Sequence, residues 1–336
     1  KDMLRKKFTM TDVEDADKVI GVEIFRVKGG ICLGQPTYAR TILQKSGFWD
    51  IDITKVPQNP MSESWAHDEN SGDLTREEQK FYVSYLMMMA WMSQQTRLDL
   101  CATTSMLAQH LSKPTKSDLA ALKWLLKYLR GSWDDVLFYR DEKEGELIAE
   151  VDCENAFHAK DKPPGFLVGY ADASFGGDPG RKSRTGCVVI ARGAAVDWLS
   201  KKQSMVALSS TEAEYLSLSQ MTQMMAGLRY TLTDLGEEET GKKPSRIYED
   251  NKSCIAIAYK PMHQGRTKHF DIKAHFIRDR IEKGEVEVVY CPTGEMIADM
   301  LTKALPAKQH QRLKRFAGLY PLSSLQIIKL NDPTAQ

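Results

Sequence analysis

The sequence is short of the features that assign a protein quickly. Its six cysteines (32, 101, 153, 187, 254 and 291) are scattered over 336 residues without one Cys-x-x-Cys pair. That spacing excludes a zinc ribbon and a disulfide-stapled scaffold, and a reducing compartment is the simplest setting for it. Long apolar runs are missing: Tyr85–Met92 (YLMMMAWM) is the longest, far below the ~20 residues of a membrane-spanning helix. No membrane partner is therefore expected. Charge of one sign is missing too, since Lys+Arg 46 against Asp+Glu 45 leaves +1. Any nucleic-acid site must then be a local patch rather than a global basic field. There is no internal repeat and no low-complexity tract. The chain opens on KDMLRKKF, without an initiator Met or signal-type apolar segment, and is expected to be a soluble piece of something longer.

What remains is an ordinary globular composition, 42% apolar and 27% charged, long enough for about two domains at ~150 residues each. Residues 1–59 carry two β-prone runs across a Gly-Gly turn, then a helix (TYARTILQKSG) stopped by Gly47. A polar loop follows over 60–78, then a helix over about 79–111. A second helix runs from an N-cap at Ser117 to Gly131, with Leu119, Leu122, Leu126 and Leu129 on its buried face. The pattern predicts a smaller α+β region over 1–150, a linker over 151–165 that contains DKPPG, an α/β domain over 166–318 and a tail over 319–336. Three strand-like runs (FLVGYADAS, TGCVVIAR, AVDWLS), a long helix, a strand, two helices, a strand and a last helix make up the second region. The order β-β-β-α-β-α-α-β-α predicts a mixed sheet flanked by helices, closing its own core.

Carboxylates stand at awkward places in that second region. Asp172 continues the apolar strand face of Phe166, Val168 and Tyr170. A buried, unpaired carboxylate is costly, although an Asp before Phe175-Gly-Gly also suits a turn. Ser209 and Glu212 form a capping box at the head of the long helix, so Glu212 has a structural task. Glu214 has none, and it leads the inward stripe Leu218, Met221, Met225 and Leu228. Asp250 ends SRIYED, where an N-cap is the plainer reading, and Asp299 lies in the last helix between Met296 and Met300. Several carboxylates that cannot all ionise without a cation suggest Mg²⁺, with Mn²⁺ as a substitute. Two such ions ~3.5–4 Å apart would clamp both oxygens of a phosphodiester displacement. No His/Cys set is expected to compete; His263, His269 and His275 do not share one helix face. Trp198 is read as a core residue.

Gly169-Tyr-Ala-Asp-Ala, Arg181–Gly186, Val196–Gln203, Ala207–Tyr215, Glu249-Asp-Asn-Lys-Ser253, Arg266–Ile272 and Ala298–Ala304 resemble, in order and spacing, the ribonuclease H domain of copia-type retrotransposon polyproteins. Ile20–Ile24, Gln35–Tyr38 and Thr96–Asp99 resemble, more loosely, the thumb and connection region that follows the reverse transcriptase palm in the same polyproteins. The resemblance implies a ribonuclease H-like fold whose metal-binding, catalytic acids are Asp172, Glu214, Asp250 and Asp299. It favours Glu214 over Glu212 as the helix ligand. It also implies an RNA–DNA hybrid as partner, cut on its RNA strand, beside upstream reverse transcriptase segments, in a cytoplasmic retrotransposon particle or the nucleus. Two departures stand outside the acids: Leu98 replaces the family's Pro, and Ser174-Phe175 replaces its Asp-Trp.

A duplex binder of near-zero net charge needs local cations. Candidates are Arg181, Lys182, Lys201 and Lys202 with Arg184 beside them, and Asn251, Arg266, Lys268 and His269 near the acids. The acid-free strip holding Lys303, Lys308, Arg312, Lys314 and Arg315 is another, and Lys113, Lys116, Lys123, Lys127 and Arg130 could grip a duplex upstream. Gly236–Lys242 imitates a phosphate loop but carries three glutamates and continues with Lys243. No polymerase Tyr-x-Asp-Asp turn occurs; Asp134-Asp135 is expected in an exposed turn. The competing functional classes are a non-catalytic nucleic-acid-binding relic or host-recruited fragment, and a structural subunit for a polymerase.

Overall fold

A computed structural model describes residues 16–141, 166–236, 243–260 and 268–328, with backbone alone for 268–272 and 274. Two five-stranded sheets organise it. In the first, β1 (Lys18–Val19), β2 (Val22–Val27), β3 (Gly30–Gly34) and β4 (Asp135–Arg140) are antiparallel, and the order ends on β10 (Leu319–Pro321). The β2–β3 turn needs its glycines, with Gly29 at φ 81° and Gly30 at φ 155°. The helices α1 (Pro36–Ser46), α2 (Arg76–Gln95), α3 (Cys101–Ala108) and α4 (Lys116–Gly131) build one core from Ile42, Tyr82, Leu86, Leu122 and Leu126. As expected, Gly47 ends α1 in the left-handed conformation.

The second sheet has the order β7-β6-β5-β8-β9, from β5 (Val168–Asp178), β6 (Lys182–Ala191), β7 (Ala194–Lys202), β8 (Ser245–Glu249) and β9 (Val286–Tyr290). The first three strands form an antiparallel meander, and β8 and β9 run parallel to β5 and to each other. This is the mixed sheet that the element order predicted, in the ribonuclease H-like form that the resemblance implied. One face packs Leu167, Ala171 and Val189 against Leu218, Met221 and Met225 of α5 (Ser210–Asp234). Gly169 permits this approach, since a Cβ there would lie 2.7 Å from the Met221 sulfur. The helices α6 (Lys252–Tyr259) and α7 (Lys268–Glu282) complete that side, and α8 (Ala307–Phe316) serves the opposite face.

The opposite face departs from the expected self-contained domain. Val168, Tyr170 and Val188 share a cluster with Met296, Leu301, Leu313 and Phe316, and also with Leu98, Cys101 and Leu137 from the upstream region. The Trp198 indole, in the core as expected, donates to the Ser93 carbonyl at 2.7 Å. The expected tail is partly ordered into the fold: Leu319 pairs with Leu137 and Tyr320 with Val136. Residue 166 is therefore not where the core closes. Sequence distance hides this, because apolar faces from 98–137 and 296–319 cover each other.

Other local expectations fail for identifiable reasons. The helix over 79–111 breaks at Thr96, since the buried Arg97 guanidinium bonds both Asp99 oxygens and the Ser132 carbonyl, which a straight helix would pull apart. The α4 cap is Thr115, not Ser117: Asp118 accepts from the Thr115 N–H at 2.9 Å. Asp135 is no exposed turn residue but a buried one, 2.7 Å from the Lys314 ammonium. Asp299 is not in a last α-helix. It sits in a 3-10 turn, Ile297–Leu301, whose five residues are all buried, as one amphipathic α-turn could not achieve. Pro306 separates that turn from α8.

Candidate active site

The acids collect where strand ends meet the start of α5. Asp172 lies on β5 opposite Gly186, and a Cβ at Gly186 would stand 2.8 Å from the Ala298 carbonyl. The missing side chain thus lets the 3-10 turn bearing Asp299 approach. Asp172 is buried, and the Thr302 hydroxyl donates to its Oδ2. Ser217 of α5 donates to the Asp172 carbonyl at 2.7 Å and fixes the helix against the strand. Ser209 caps α5, accepting from the Glu212 N–H at 3.2 Å. Glu212 reaches back one residue further than expected, to the Leu208 N–H at 2.8 Å. Glu214 turns inward, 7% exposed, and its Oε2 has no hydrogen-bond partner among the described residues. Asp250 follows β8, half-buried, and accepts from the Thr293 hydroxyl at 2.7 Å. It is not the α6 cap, a task Asn251 performs by accepting from the Cys254 N–H at 3.0 Å.

Carboxylate oxygens of Asp172, Glu214 and Asp250 lie within 4.8 Å of one another. Asp299 is outside that trio but beside it, 1% exposed, with the Lys303 Nζ 2.7 Å from its Oδ1. Crowding shows in the proton affinities. Burial, then the charges of Asp172 and Asp250, push the Glu214 carboxyl up to about 9. Burial, then Asp172, push Asp299 up to about 7. Burial raises Asp172 as well, against the opposing pull of Lys303 and Thr302. Burial lowers the Lys303 ammonium, but Asp172 and Asp299 outweigh it and raise the group overall. These carboxylates cannot all be ionised together without added positive charge.

Glu249 and Thr302 complete the centre without having been singled out, and Lys303, expected as a phosphate-facing cation, joins them. Glu249 is fully buried, and burial followed by Glu214 raises its carboxyl far above the usual range. Its Oε2 lacks a partner among the described residues, while Oε1 accepts from the Asn251 N–H at 3.2 Å. In SRIYED it looks like one of two adjacent acids, and only strand alternation could have flagged it as inward. Thr302 and Lys303 stand inside the Ala298–Ala304 run, but their roles depend on the fold that brings them to Asp172 and Asp299.

The expected phosphate contacts divide. Arg181 is exposed in the β5–β6 turn at φ 56°, and Lys201 is exposed on β7. Lys182 is half-buried, and Lys202 donates to Gln109 at 3.1 Å. Arg184 is not a surface cation: it is buried and paired with Asp178 at 3.0 Å. The 302–318 strip is not a free basic face either, as Lys303, Arg312 and Lys314 pair with Asp299, Glu295 and Asp135. Arg266 and His263, with most of the Gly236–Lys242 decoy, lie outside the described residues. So do the side chains of Lys268 and His269. A cavity of ≈ 870 Å³ opens beside Thr302 and Lys303, its far wall built by the 61–70 loop of the upstream region.

A mixed sheet in this order, with carboxylates gathered at the ends of β5 and β8 and on the facing helix, defines a ribonuclease H-like α/β domain. The sequence relatives make the comparison particular: this chain is similar to copia-type retrotransposon Pol polyproteins. It is 30% identical over 325 residues, 94% of this chain, to the retrovirus-related Pol polyprotein from transposon TNT 1-94 of Nicotiana tabacum. It is 31% identical over 322 residues to that from transposon RE1 of Arabidopsis thaliana. The Ty1-JR2 Gag-Pol polyprotein of Saccharomyces cerevisiae is 25% identical over 316 residues. The chain spans only about a fifth of the length of these relatives, 22% of the first and 20% of the second. No protein-family model matches it. Among solved structures, LC11-RNase H1 in complex with RNA/DNA hybrid is similar over 40% of this chain and 93% of its own, at 17% identity and TM-score 0.32. The N-terminal RNase H domain of rv2228c from Mycobacterium tuberculosis is similar over 45% of this chain and 97% of its own, at 15% identity and TM-score 0.30.

Proposed function

We propose that this chain hydrolyses the RNA strand of RNA–DNA hybrids during retrotransposon reverse transcription. The observation that carries the reading is the convergence of Asp172, Glu214 and Asp250, with Asp299 and Lys303 alongside. The donor set fits a hard divalent cation: all ligands are carboxylate oxygens, and Glu214 Oε2 is buried without a partner among the described residues. Asp172, Glu214, Asp250 and Asp299 would hold Mg²⁺, or Mn²⁺ in its place. Two such ions would supply the charge that activates water and stabilises the leaving 3′ oxygen.

The chain's own residues do the rest. Thr302 and Ser217 hold Asp172 from its side chain and its backbone, so its carboxylate keeps one orientation. Thr293 does the same for Asp250 at the more exposed edge, where the phosphodiester enters. Lys303 offsets the charge of Asp299 and keeps the acids from repelling the substrate outright. Arg181, Lys182, Lys201 and Lys202 supply phosphate contacts, and Asn251 a further one beside Asp250; Arg266, Lys268 and His269 are further candidates from the sequence alone. Choice of RNA rests on 2′-hydroxyls in a wide minor groove. No DNA synthesis is assigned to the chain, since it contains no Tyr-x-Asp-Asp and Asp135 is committed to Lys314.

The test is cleavage of an end-labelled hybrid with Mg²⁺, with and without chelator, set against RNA duplex and DNA duplex. Hybrid-specific, chelator-sensitive cuts in the RNA strand support the reading. Tight hybrid binding without hydrolysis under Mg²⁺ or Mn²⁺ would replace it with the non-catalytic binder.

A further inference from the structure

Away from the acid centre, a second constellation has metal-ligand chemistry. His67 comes from the 61–70 loop, His110 from the turn after α3, and Asp118 from the first turn of α4. One ligand atom from each lies within 4.8 Å of the others. The His67 Nδ1 is 3.0 Å from both Asp118 oxygens. For bond lengths of ~2.0–2.2 Å, neighbouring ligands of a tetrahedral zinc ion stand about 3.3 Å apart. The existing spacing is therefore close to a coordination edge. Asp118 has one oxygen to give: Oδ2 is occupied by the Thr115 N–H at 2.9 Å, whereas Oδ1 has only His67 among the described residues.

We propose that His67, His110 and Asp118 form a site for a borderline divalent cation such as Zn²⁺, separate from the carboxylate centre. Two imidazoles and one carboxylate suit such an ion better than Mg²⁺. The fourth position faces the large cavity, which both histidines line. The imidazoles stack face to face, 3.7 Å apart at 9°. Binding requires the stack to open by rotation of the His110 ring. That residue is at a helix end, with its N–H on the Leu107 carbonyl, so the ring turns without breaking a strand or helix interior.

The site has a structural consequence. The loop is anchored at one end by Asn59, which donates to the Leu305 carbonyl at 2.9 Å. At the other end Gly72 accepts from Lys116 at 3.0 Å and Asp73 bridges to Thr115. His67 is between these anchors, and a metal there would pin the cavity wall that faces Lys303. The ligands were hidden in the sequence because a loop, a helix end and a helix start meet only in the fold.

The experiment is a Co²⁺ titration of the full chain in excess Mg²⁺, which fills the all-oxygen centre. The expected result is one equivalent of Co²⁺ with the strong visible absorption of a four-coordinate site, displaced by Zn²⁺. His67→Gln and His110→Gln should each abolish that absorption, with far-ultraviolet circular dichroism confirming the fold. Asp118→Asn should weaken binding while keeping the cap, since an amide oxygen still accepts from Thr115. Absence of the band in the wild type, or its persistence at full strength in both histidine variants, overturns the proposal and leaves a hydrogen-bonded His67–Asp118 pair.

Discussion

Replacing Lys314 with Met tests how firmly the two regions share one interior. The Lys314 ammonium is 2.7 Å from Asp135 Oδ2, and the two side chains are 6% and 2% exposed. Removing one partner of such a buried pair costs about 3–5 kcal/mol, because the other charge is left in a medium that does not solvate it. Here the lower end applies, since the Arg97 Nη2 stands 3.8 Å from the same Asp135 oxygen and takes up part of the charge. Met keeps most of the volume over the Tyr128 ring, so cavity formation adds little. The expected loss is about 3 kcal/mol, or roughly 6–12 °C in the melting temperature at ~2–4 °C per kcal/mol. Urea unfolding of Lys314→Met, Asp135→Leu and the double variant checks this. The double variant should recover much of the loss, with a coupling of about 1–3 kcal/mol. A single-variant loss below about 1 kcal/mol, or strictly additive losses, would refute the view that this pair joins α8 to β4. A fragment of 160–320 lacks Leu98, Cys101, Leu137 and Asp135 and, on the same reasoning, should aggregate or stay molten.

Asp250→Asn should remove most hybrid cleavage while leaving hybrid affinity equal or tighter, because a carboxylate that repels phosphate is gone; wild-type turnover would refute its role. Glu214→Gln should abolish cleavage, whereas Glu212→Ala should cost ~0.5–1.5 kcal/mol of stability through the lost Leu208 bond and leave turnover largely intact. Reversed phenotypes would mean the wrong glutamate. The raised Glu214 carboxyl also predicts a pH response: its proton is held more tightly in the folded chain than in the unfolded one. Its stabilising contribution is complete below about pH 4.5, declines as pH rises and is gone above about 9. With chelator present, denaturant midpoints should thus fall between about pH 5 and 8. Mg²⁺ should restore them and Glu214→Gln should make the profile shallower, with the raised Asp172, Asp299 and Glu249 carboxyls keeping the rest of the slope; a midpoint that rises with pH in chelator would contradict the burial of this group.

The sequence by itself determined the features that local physics controls. Gly47 stops α1 because a left-handed residue must follow the helix, and Ser209 caps α5 because its hydroxyl satisfies an orphan N–H. Alternation placed Asp172 on the face of Val168 and Tyr170, and the helical stripe turned Glu214 inward but not Glu212. Even the meander and mixed sheet follow from strand lengths and Gly-rich turns. What tertiary structure decided is the choice between surface and interior for charges that no apolar stripe or strand face had placed. Asp135 and Lys314 are read from their neighbours as solvated residues, yet both are buried because the two, far apart in the chain, neutralise each other; Arg184 is buried too, against the nearby Asp178 and the Ser105 hydroxyl of α3. The Thr302 clamp on Asp172 became visible only when the Ile297–Leu301 turn closed over Gly186. The shared core and the His67–His110–Asp118 cluster have the same origin. A local pattern says which groups can be inside, but whether a charge is tolerated there depends on residues far along the chain that meet it only after folding.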